Sequence, residues 1–435
     1  MAENLTDTAQ REAQASAEPR CAAPTPDPSI VANPYKQDFP LLAARSEEAY
    51  LDSAATAQRP ACVLDAQRRF YETMNANPLR GLYEMSVEAT EAIEAVRAHV
   101  ARFIGASDAH EIVFTRNASE SLNLVARTLG AVRLGPGDEV VISIMEHHSN
   151  LIPWQQACRA AGATLVYLRP DAEGVITDEE IAAKIGPRAK IVSVTHVSNV
   201  LGVINPIRAI ADRAHEMGAV MVVDAAQSVP HIHVDVEALG CDLLAFSGHK
   251  VFSPMGIGVL WGRKQLLDEM PPFLVGGEMI DSVAEQDAVW APVPEKFEAG
   301  TQDAAGIYGL GAALDYMESL DLDAIEQRER LLVDYLYRSL AALPWIELIG
   351  PSDPAHHVGV VSFNVRDIHP HDVASLLDMR HVDVRAGHHC AQPLLAWMGL
   401  QTCNRASIAF YNDAADIDRL VDGLKFVWSI FHGNE

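Results

Sequence analysis

The stretch Ala219-Val-Met-Val-Val-Asp-Ala-Ala-Gln227 and, shortly after it, Asp242-Leu-Leu-Ala-Phe-Ser-Gly-His-Lys250 decide the fold. Each begins with a nearly continuous apolar run and ends in polar residues. Such runs are typical of strands in a sheet that is covered on both faces. Working outward, similar runs lie at residues 111–115, 140–143, 164–167, 191–194 and 258–261.

Stretches with helical spacing separate several of these runs, at residues 151–161, 178–185 and 205–217. Thr177-Asp-Glu-Glu180 precedes the second of them and has the form of a capping box. Strand, crossover helix and strand in succession predict an α/β fold with a mostly parallel, seven-stranded sheet. Ligands of such sheets bind outside the carboxyl ends of the strands. We therefore expect the chemistry at that edge.

The pattern changes after about residue 305. Long helical stretches at 324–343 and 414–431 flank predicted strands at 358–365 and 405–411. This predicts a second, smaller α/β domain at the C-terminal end of the chain.

These patterns predict a large domain over residues 51–305 and a small domain over 306–435, with 36–50 joining the small domain. Residues 1–35 are rich in Ala, Pro, Glu, Thr and Ser. Such a segment buries too little apolar surface to offset its ordering entropy, so we expect a disordered extension. Recruitment of this extension by a larger assembly is the alternative.

Composition excludes several classes of protein. The formal net charge of -26 disfavours nucleic acid as a partner. No apolar stretch approaches the length of a membrane-spanning helix. The six cysteines include no Cys-x-x-Cys pair, which argues against a disulfide framework and a zinc site. We expect a cytoplasmic protein that does not bind a membrane.

Lys250 and Asp224 are the leading candidates for catalysis. Lys250 follows an apolar strand, so its ammonium should be desolvated and its amine available for covalent chemistry. Asp224 ends an apolar strand, where a buried carboxylate needs a cationic partner unless it merely caps a helix. A reactive amine and an acid for a ring nitrogen are what pyridoxal phosphate requires.

A phosphate site is predicted where Ala118 and Ser119 open a helix after a strand, because free N–H groups there favour an anion. Asn117-Ala-Ser119 is also an ordinary helix cap, which is the alternative. Ser247 and His249 are expected to complete this cradle.

Two motifs carry a resemblance to known enzymes. Asp224-Ala-Ala-Gln227 and Phe246-Ser-Gly-His-Lys250, with Gly256-Ile-Gly258 after them, resemble the lysine signature of class V aminotransferase-like enzymes. Arg385-Ala-Gly-His-His-Cys390-Ala-Gln-Pro393 resembles the group II (SufS-like) cysteine desulfurases. The likeness runs from about Asp38 to the C-terminus and implies a fold-type I transferase dependent on pyridoxal phosphate.

The resemblance implies a role for each matching residue. Lys250 would hold the cofactor and move protons, with Asp224 on the ring nitrogen, His147 stacked on the ring and Gln227 on the ring hydroxyl. The phosphate would be held by Ser119, Ser247 and His249. Thr301 would reach the phosphate of the neighbouring subunit, which implies a homodimer with shared sites.

Cys390 is the residue that the resemblance identifies as the sulfur acceptor. A free cysteine is by default a small buried hydrophobe, but Arg385, His388 and His389 precede this one and predict an electropositive setting that favours thiolate. The resemblance places the substrate carboxylate on Asn199 and Arg405, Arg385 near the cysteine, and Arg80 at the substrate mouth.

The implied reaction converts L-cysteine to L-alanine and leaves a persulfide on Cys390 for a sulfur acceptor protein, SufE-like or SufU-like, in iron-sulfur cluster or related synthesis. Selenocysteine lyase and cysteine sulfinate desulfinase are the nearest alternatives. Another class V reaction, such as transamination or kynurenine cleavage, and a non-catalytic scaffold recruited by its N-terminal extension are more distant ones.

This chain departs from the desulfurase pattern in two places. It has Leu79-Arg80-Gly81-Leu82-Tyr83 where relatives often have His-Arg-Gly-x-His, and Ala118-Ser119 keeps one of two phosphate-binding hydroxyls. His147 and His148 are alternative metal ligands, but adjacent side chains diverge and no partner ligand stands at suitable spacing, so we expect no metal. His356-His357 and His369 to His371 are interpreted as polar loop residues.

Overall fold

The computed structural model describes residues 24–79 and 81–433. Within these ranges the strands are, in chain order, β1 (Ala49–Tyr50), β2 (Ile112–Thr115), β3 (Glu139–Ser143), β4 (Thr164–Leu168), β5 (Ala189–Thr195), β6 (Val220–Asp224), β7 (Leu243–Ser247), β8 (Gly258–Gly262), β9 (Ile280–Val283), β10 (Ala288–Trp290), β11 (Ile346–Ile349), β12 (Val360–Val365), β13 (Val382–Asp383), β14 (Arg385–Gly387) and β15 (Cys403–Ser407).

The helices of the same ranges are α1 (Pro28–Val31), α2 (Pro40–Ala44), α3 (Ala61–Thr73), α4 (Glu84–Phe103), α5 (Ala118–Arg133), α6 (Ile152–Ala161), α7 (Asp178–Lys184), α8 (Ile207–Glu216), α9 (Val236–Leu239), α10 (Lys264–Glu269), α11 (Ala304–Ser319), α12 (Leu322–Ala341), α13 (Pro370–Asp378), α14 (Gln392–Trp397) and α15 (Ala414–His432). Short 3-10 helices lie at Lys36–Asp38, Ala109–Glu111, His148–Asn150, Gly248–Lys250, Glu295–Phe297 and Pro354–His356.

The predicted seven-stranded, mostly parallel sheet is confirmed. Its strand order is β2-β8-β7-β6-β5-β3-β4. The edge pair β2-β8 and the pair β8-β7 are antiparallel, and the other neighbouring pairs are parallel. Parallel neighbours need a long crossover, whereas antiparallel ones do not. The chain turns from β7 into β8 through a short loop that contains Lys250, so β8 returns in the opposite direction.

Both faces of this sheet are buried, which explains the continuous apolar runs. In β6, Met221 and Val223 belong to one hydrophobic cluster, while Val220 and Val222 belong to another on the opposite face. Side chains that alternate along a strand point to opposite faces. The sheet therefore forms a rigid centre from whose edge the site is built.

The C-terminal part contains a four-stranded antiparallel sheet in the order β11-β12-β15-β14, packed against α12 and α13, and α15 packs against these two helices. The strand β1 pairs in parallel with β13 in a separate two-stranded sheet, and the carbonyl of Leu51, the next residue, accepts the N–H of Ser407 in β15 at 2.7 Å. The domain boundaries at residues 50 and 305 stay predictions.

The predicted strand at 405–411 was wrong at its carboxyl end, because β15 stops at Ser407. The N–H of Phe410 donates to the Glu329 carboxylate at 2.8 Å instead of to a strand, and the Phe410 ring packs edge-on against Phe252. Burial in an aromatic cluster, not sheet pairing, is the reason that this stretch is apolar.

The predicted extension at 1–35 was too long at its carboxyl end. Its first 23 residues lie outside the described ranges, as does Arg80. Of the rest, α1 buries Ile30 completely in the core of the C-terminal part, and Ser29 accepts a hydrogen bond of 2.6 Å from Arg328. A single buried isoleucine in a polar segment gives too weak a signal for sequence patterns.

Only one of the two hydrogen bonds of the predicted capping box at Thr177 is present. The Thr177 side chain accepts the N–H of Glu180 at 3.3 Å, but the Glu180 carboxylate accepts the N–H of Arg169 at 2.9 Å instead of closing the box. In the part of the chain that the structure describes, no helix combines the length and apolarity needed to cross a bilayer.

Candidate active site

A cavity of about 560 Å³ opens at the carboxyl ends of β3, β5, β6 and β7, where sheets of this type bind ligands. It brings together most of the predicted site residues: Ala118, Ser119, His147, Asn199, Asp224, Gln227, Ser247, His249, Lys250, Arg385, Cys390 and Arg405. Thr301 is exposed and is not among the residues that line this cavity.

Lys250 and Asp224 both line the cavity, and their charges interact. Burial lowers the pKa of Lys250 to about 8, although the Asp224 carboxylate works in the opposite direction. Burial raises the pKa of Asp224. The N–H of Ala226, which donates to the carboxylate at 3.0 Å, and the Lys250 ammonium both act to lower it. The site thus holds an amine that is partly neutral near pH 8 and an acid that needs a cation.

His147 stands beside a chain of hydroxyl groups. Its Nδ1 lies 3.0 Å from the Oγ of Ser149, which shares a hydrogen bond of 2.6 Å with the Oγ of Ser119. Burial, and then the charge of Lys250, lower the pKa of His147 to about 3. The imidazole is therefore neutral at physiological pH, as a ring that stacks on a planar group should be.

The amino terminus of α5 forms the polar end of the cavity. The side chain of Asn117 caps the helix by accepting the N–H of Glu120 at 2.9 Å, and Ser247 Oγ accepts the N–H of Ala118 at 2.8 Å. Because Ser247 accepts this bond, its own O–H stays available to an anion. The helix dipole favours a phosphate here.

His249 and Gln227 are fixed by residues that the sequence did not reveal. Nδ1 of His249 lies 3.2 Å from Thr56 Oγ1, and burial lowers the pKa of His249 to about 4. Gln227 donates to the carbonyl of Ala54 at 2.9 Å. Both partners lie in the short loop after β1, whose small residues carry no motif.

Arg405 is the buried cation of the site, with 2% of its surface exposed. It donates to the carbonyl of Asn199 at 3.0 Å and to the carboxylate of Asp52 at 3.3 Å. Its Nε is buried and has no hydrogen-bond partner among the described residues. Because a buried donor without a partner is costly, this edge is prepared for an acceptor such as a substrate carboxylate.

The Cys390 loop closes the cavity from the C-terminal part. His389 and Cys390 both have left-handed backbones, with φ of 51° and 55°. The carbonyl of His389 accepts from the side chain of Asn199 at 2.7 Å, and that of Cys390 accepts the N–H of His148 at 2.7 Å. The thiol is exposed at the cavity wall.

The predicted electropositive setting of Cys390 was wrong for His389. That ring is buried, its Nε2 lies 3.0 Å from the carbonyl of Cys403, and burial lowers its pKa to about 3. Arg385 does line the cavity, but its guanidinium is paired with Asp52 at 2.8 Å. Because His389 and Cys390 both have left-handed backbones, the directions of their side chains do not follow from their order in the sequence.

Glu146 is a buried acid whose position the sequence did not explain. Its carboxylate accepts the N–H of Thr195 at 2.9 Å and the amide of Asn150 at 2.7 Å, and burial raises its pKa to about 8. Through Thr195 it ties the end of β5 to the loop that carries His147. These bonds of Glu146 stabilise the loop on which His147 lies.

The residues of this cavity fit pyridoxal phosphate. Its Lys250 amine has a lowered pKa, Asp224 is a buried carboxylate within electrostatic reach, and the amino terminus of α5 suits a phosphate. The orphaned Nε of Arg405 adds a site for the carboxylate of an amino acid.

Comparison with known proteins gives a consistent result. The family model for class V aminotransferases matches residues 49–420. A probable cysteine desulfurase of Halalkalibacterium halodurans is 48% identical over 397 residues, which cover 91% of this chain and 97% of the relative. A cysteine desulfurase of Salmonella gallinarum is 46% identical over 393 residues, 89% of this chain and 96% of the relative.

Solved structures show the same likeness. The apo structure of a cysteine desulfurase from Thermococcus onnurineus NA1 has a TM-score of 0.87 at 40% identity, covering 94% of this chain and 99% of that one. A cysteine desulfurase from Escherichia coli, with an S-sulfonic acid, has a TM-score of 0.85 at 36% identity, covering 91% and 98%.

Proposed function

The chain belongs to the class V aminotransferase family, and we propose that within it the protein is a pyridoxal-phosphate-dependent cysteine desulfurase that converts L-cysteine to L-alanine. One observation carries the proposal: a single cavity holds the Lys250 amine, the Asp224 carboxylate and the Cys390 thiol. Transamination and kynurenine cleavage need the first two groups but not the third.

Pyridoxal phosphate, when bound, acts as an electron sink for the carbon atoms of an amino acid. Lys250 would hold it covalently and afterwards carry the proton taken from the substrate Cα. Asp224 would balance the charge of the ring nitrogen. The neutral His147 would stack on the ring, and Gln227, which keeps a second amide N–H beyond the one donated to Ala54, would contact the ring hydroxyl.

The phosphate would lie at the amino terminus of α5, held by the N–H groups around Ala118 and by the side chains of Ser119, Ser247 and His249. Ser149, which is bonded to Ser119, would orient that hydroxyl. The single hydroxyl of Ala118-Ser119 therefore has a hydrogen-bond partner, Ser149, that is not part of the sequence motifs.

The substrate carboxylate would bind Arg405 and the side chain of Asn199, with Arg80 at the mouth. The Cys390 thiolate would attack the substrate sulfur: an S–S bond forms, the Cβ–S bond breaks, and its electron pair passes to the substrate carbon, which takes up a proton. Alanine leaves, and Cys390 carries the persulfide. The exposed position of Cys390 supports the transfer of this sulfur to another protein.

We further propose a cytoplasmic homodimer that passes its sulfur to a SufE-like or SufU-like acceptor for iron-sulfur cluster or related synthesis. Thr301 supports the dimer, because it is exposed and does not line the cavity of its own chain. It would reach the phosphate bound by the partner. Recruitment of residues 1–35 by a larger assembly remains a separate proposal.

The test measures alanine and reductant-released sulfide from L-cysteine with the wild-type holoenzyme, Cys390→Ala and Cys62→Ala. Cys62 is also exposed, but it lies in α3, away from the cavity, and so serves as a matched control. We expect both products to be lost in Cys390→Ala alone. Retained alanine release from selenocysteine or cysteine sulfinate, with no reaction of cysteine in the wild type, would point to the lyase or desulfinase instead.

A further inference from the structure

The hydroxyl of Thr56 lies between a guanidinium group and a histidine ring. Its Oγ1 accepts from Nη2 of Arg59 at 3.2 Å and lies 3.2 Å from both Nδ1 and the carbonyl oxygen of His249. Arg59 is held in turn, because its Nη1 donates to the carbonyl of Ala57 at 2.6 Å and its Nε to that of Ser253 at 3.2 Å. Arg59 thus joins the loop after β1 to the loop between β7 and β8.

One proton and two acceptors decide the direction of the bond between Thr56 and the ring. A guanidinium group only donates, so Oγ1 accepts from Arg59 and has a single proton of its own to give. The carbonyl of His249 already accepts the N–H of Ala57 at 3.0 Å. Nδ1 of His249 has no hydrogen-bond partner other than Thr56 among the described residues. Because an acceptor without a donor costs free energy, donation to Nδ1 is the favoured use of the hydroxyl.

The direction of this bond decides what the other nitrogen of the ring can do. Burial, followed by the charges of Lys250 and Arg59, lowers the pKa of His249 to about 4, so the ring is neutral at physiological pH and has one N–H. With Nδ1 as acceptor, that proton is on Nε2. With Nδ1 as donor, Nε2 would present a lone pair. Since His249 lines the cavity, only the first arrangement offers a donor to a phosphate there.

We propose that Thr56 is a positioning residue for the cofactor phosphate: its hydroxyl, held by Arg59, donates to Nδ1 of His249 and so keeps the Nε2–H of that ring for the phosphate. This role rests on the function proposed above, which places a phosphate beside His249. Arg59 is not among the residues that line the cavity, and it acts through the hydroxyl that it holds.

The first test reads the position of the proton directly. Nitrogen chemical shifts of the histidine-labelled holoenzyme at neutral pH report which ring nitrogen is protonated, and His249→Gln assigns the signals. We expect the His249 proton on Nε2 and the Nδ1 signal of a hydrogen-bonded acceptor. In Thr56→Val, the Nδ1 signal should move to that of an acceptor without a donor. A wild-type ring protonated on Nδ1 overturns the proposal, and this reading needs no variant of Thr56.

The second test is spectrophotometric titration of the cofactor-free protein with pyridoxal phosphate and with pyridoxal, which lacks the phosphate. Thr56→Val should raise the dissociation constant of pyridoxal phosphate about fivefold, the effect of one net hydrogen bond, and leave that of pyridoxal unchanged. Thr56→Ser keeps the hydroxyl and should bind both as the wild type does. Equal weakening of both ligands in Thr56→Val would mean a general role in the loop. That result overturns the proposal, as does unchanged binding of pyridoxal phosphate.

Thr73→Val is the matched control. The Thr73 hydroxyl donates to the carbonyl of Arg69 at 2.7 Å at the end of α3 and does not line the cavity. Its loss should change neither dissociation constant.

Failure of the underlying function would appear in the wild type. A holoenzyme that releases no alanine from L-cysteine refutes the desulfurase, whereas the proton position and the two dissociation constants are measured without turnover. A wild-type protein that binds pyridoxal phosphate no more tightly than pyridoxal refutes the phosphate site, and the role of Thr56 with it.

Discussion

The backbone N–H of His148 donates to the carbonyl of Cys390 at 2.7 Å, and so joins the loop after β3 to the loop that carries the thiol. The N–H of Gln392 completes the exchange by donating to Nε2 of His148 at 3.3 Å. Asn199 holds the adjacent carbonyl, that of His389, at 2.7 Å. The large sheet therefore sets the position of the Cys390 loop through backbone carbonyls.

The first prediction concerns this attachment. Asn199→Ala leaves the buried carbonyl of His389 without its donor, which should cost about 1–3 kcal/mol. We expect lower unfolding free energy and faster amide hydrogen exchange over residues 388–392. Asn123→Ala, which removes an exposed amide bonded to Ser119, should leave exchange in that loop unchanged. Equal exchange in both variants would show that Asn199 does not hold the loop.

The second prediction uses the pKa of Lys250, which burial lowers to about 8. Only the neutral amine reacts with the aldehyde of pyridoxal phosphate, so the rate of cofactor uptake by the cofactor-free protein should rise through about pH 8 and then level off. Asp224→Asn removes a charge that raises this pKa, so the midpoint should move to lower pH. Stopped-flow absorbance at saturating cofactor measures it. A midpoint that moves upward contradicts the assignment.

The third prediction concerns the support of Thr301. Glu298, three residues before it, is buried and accepts from Arg97 at 2.7 and 2.9 Å and from the N–H of Phe114 at 2.7 Å. Glu298→Ala takes from Arg97 its buried acidic partner and leaves the N–H of Phe114 without its acceptor, which should lower the unfolding free energy by about 3–5 kcal/mol.

Glu94→Ala provides the control, since Glu94 contacts the same Arg97 but is 44% exposed. Its loss should cost no more than about 1 kcal/mol. Urea titrations of the two variants measure the difference. Similar losses would mean that Arg97 finds a substitute partner when Glu298 is absent. If Thr301 serves the partner subunit, Glu298→Ala should also weaken cofactor retention.

Sequence patterns were sufficient for the strands and for residues that directly follow them, because burial and motif spacing are local properties. Lys250 and Asp224, which both line the cavity, were identified as candidates in this way. Asp52 and Thr56 were missed because their partners are distant in sequence, and nothing in a run of small residues indicates such contacts. The direction of His389 depends on a left-handed backbone that only tertiary contacts fix.

The last prediction concerns that backbone. Cys390 has a φ of 55°, where a Cβ atom is strained and glycine is not. The unfolding free energy of Cys390→Gly should therefore be about 1 kcal/mol higher than that of Cys390→Ala, although both variants lose sulfur transfer. At Cys62, near the start of α3, the order should reverse, because glycine in a helix costs about 0.5–1 kcal/mol relative to alanine. Chemical denaturation of the four variants gives both differences. Opposite orders at Cys390 and Cys62 would separate backbone strain at Cys390 from any general effect of removing a thiol. They would show that the reacting residue has a strained backbone, which is retained for function and not for stability.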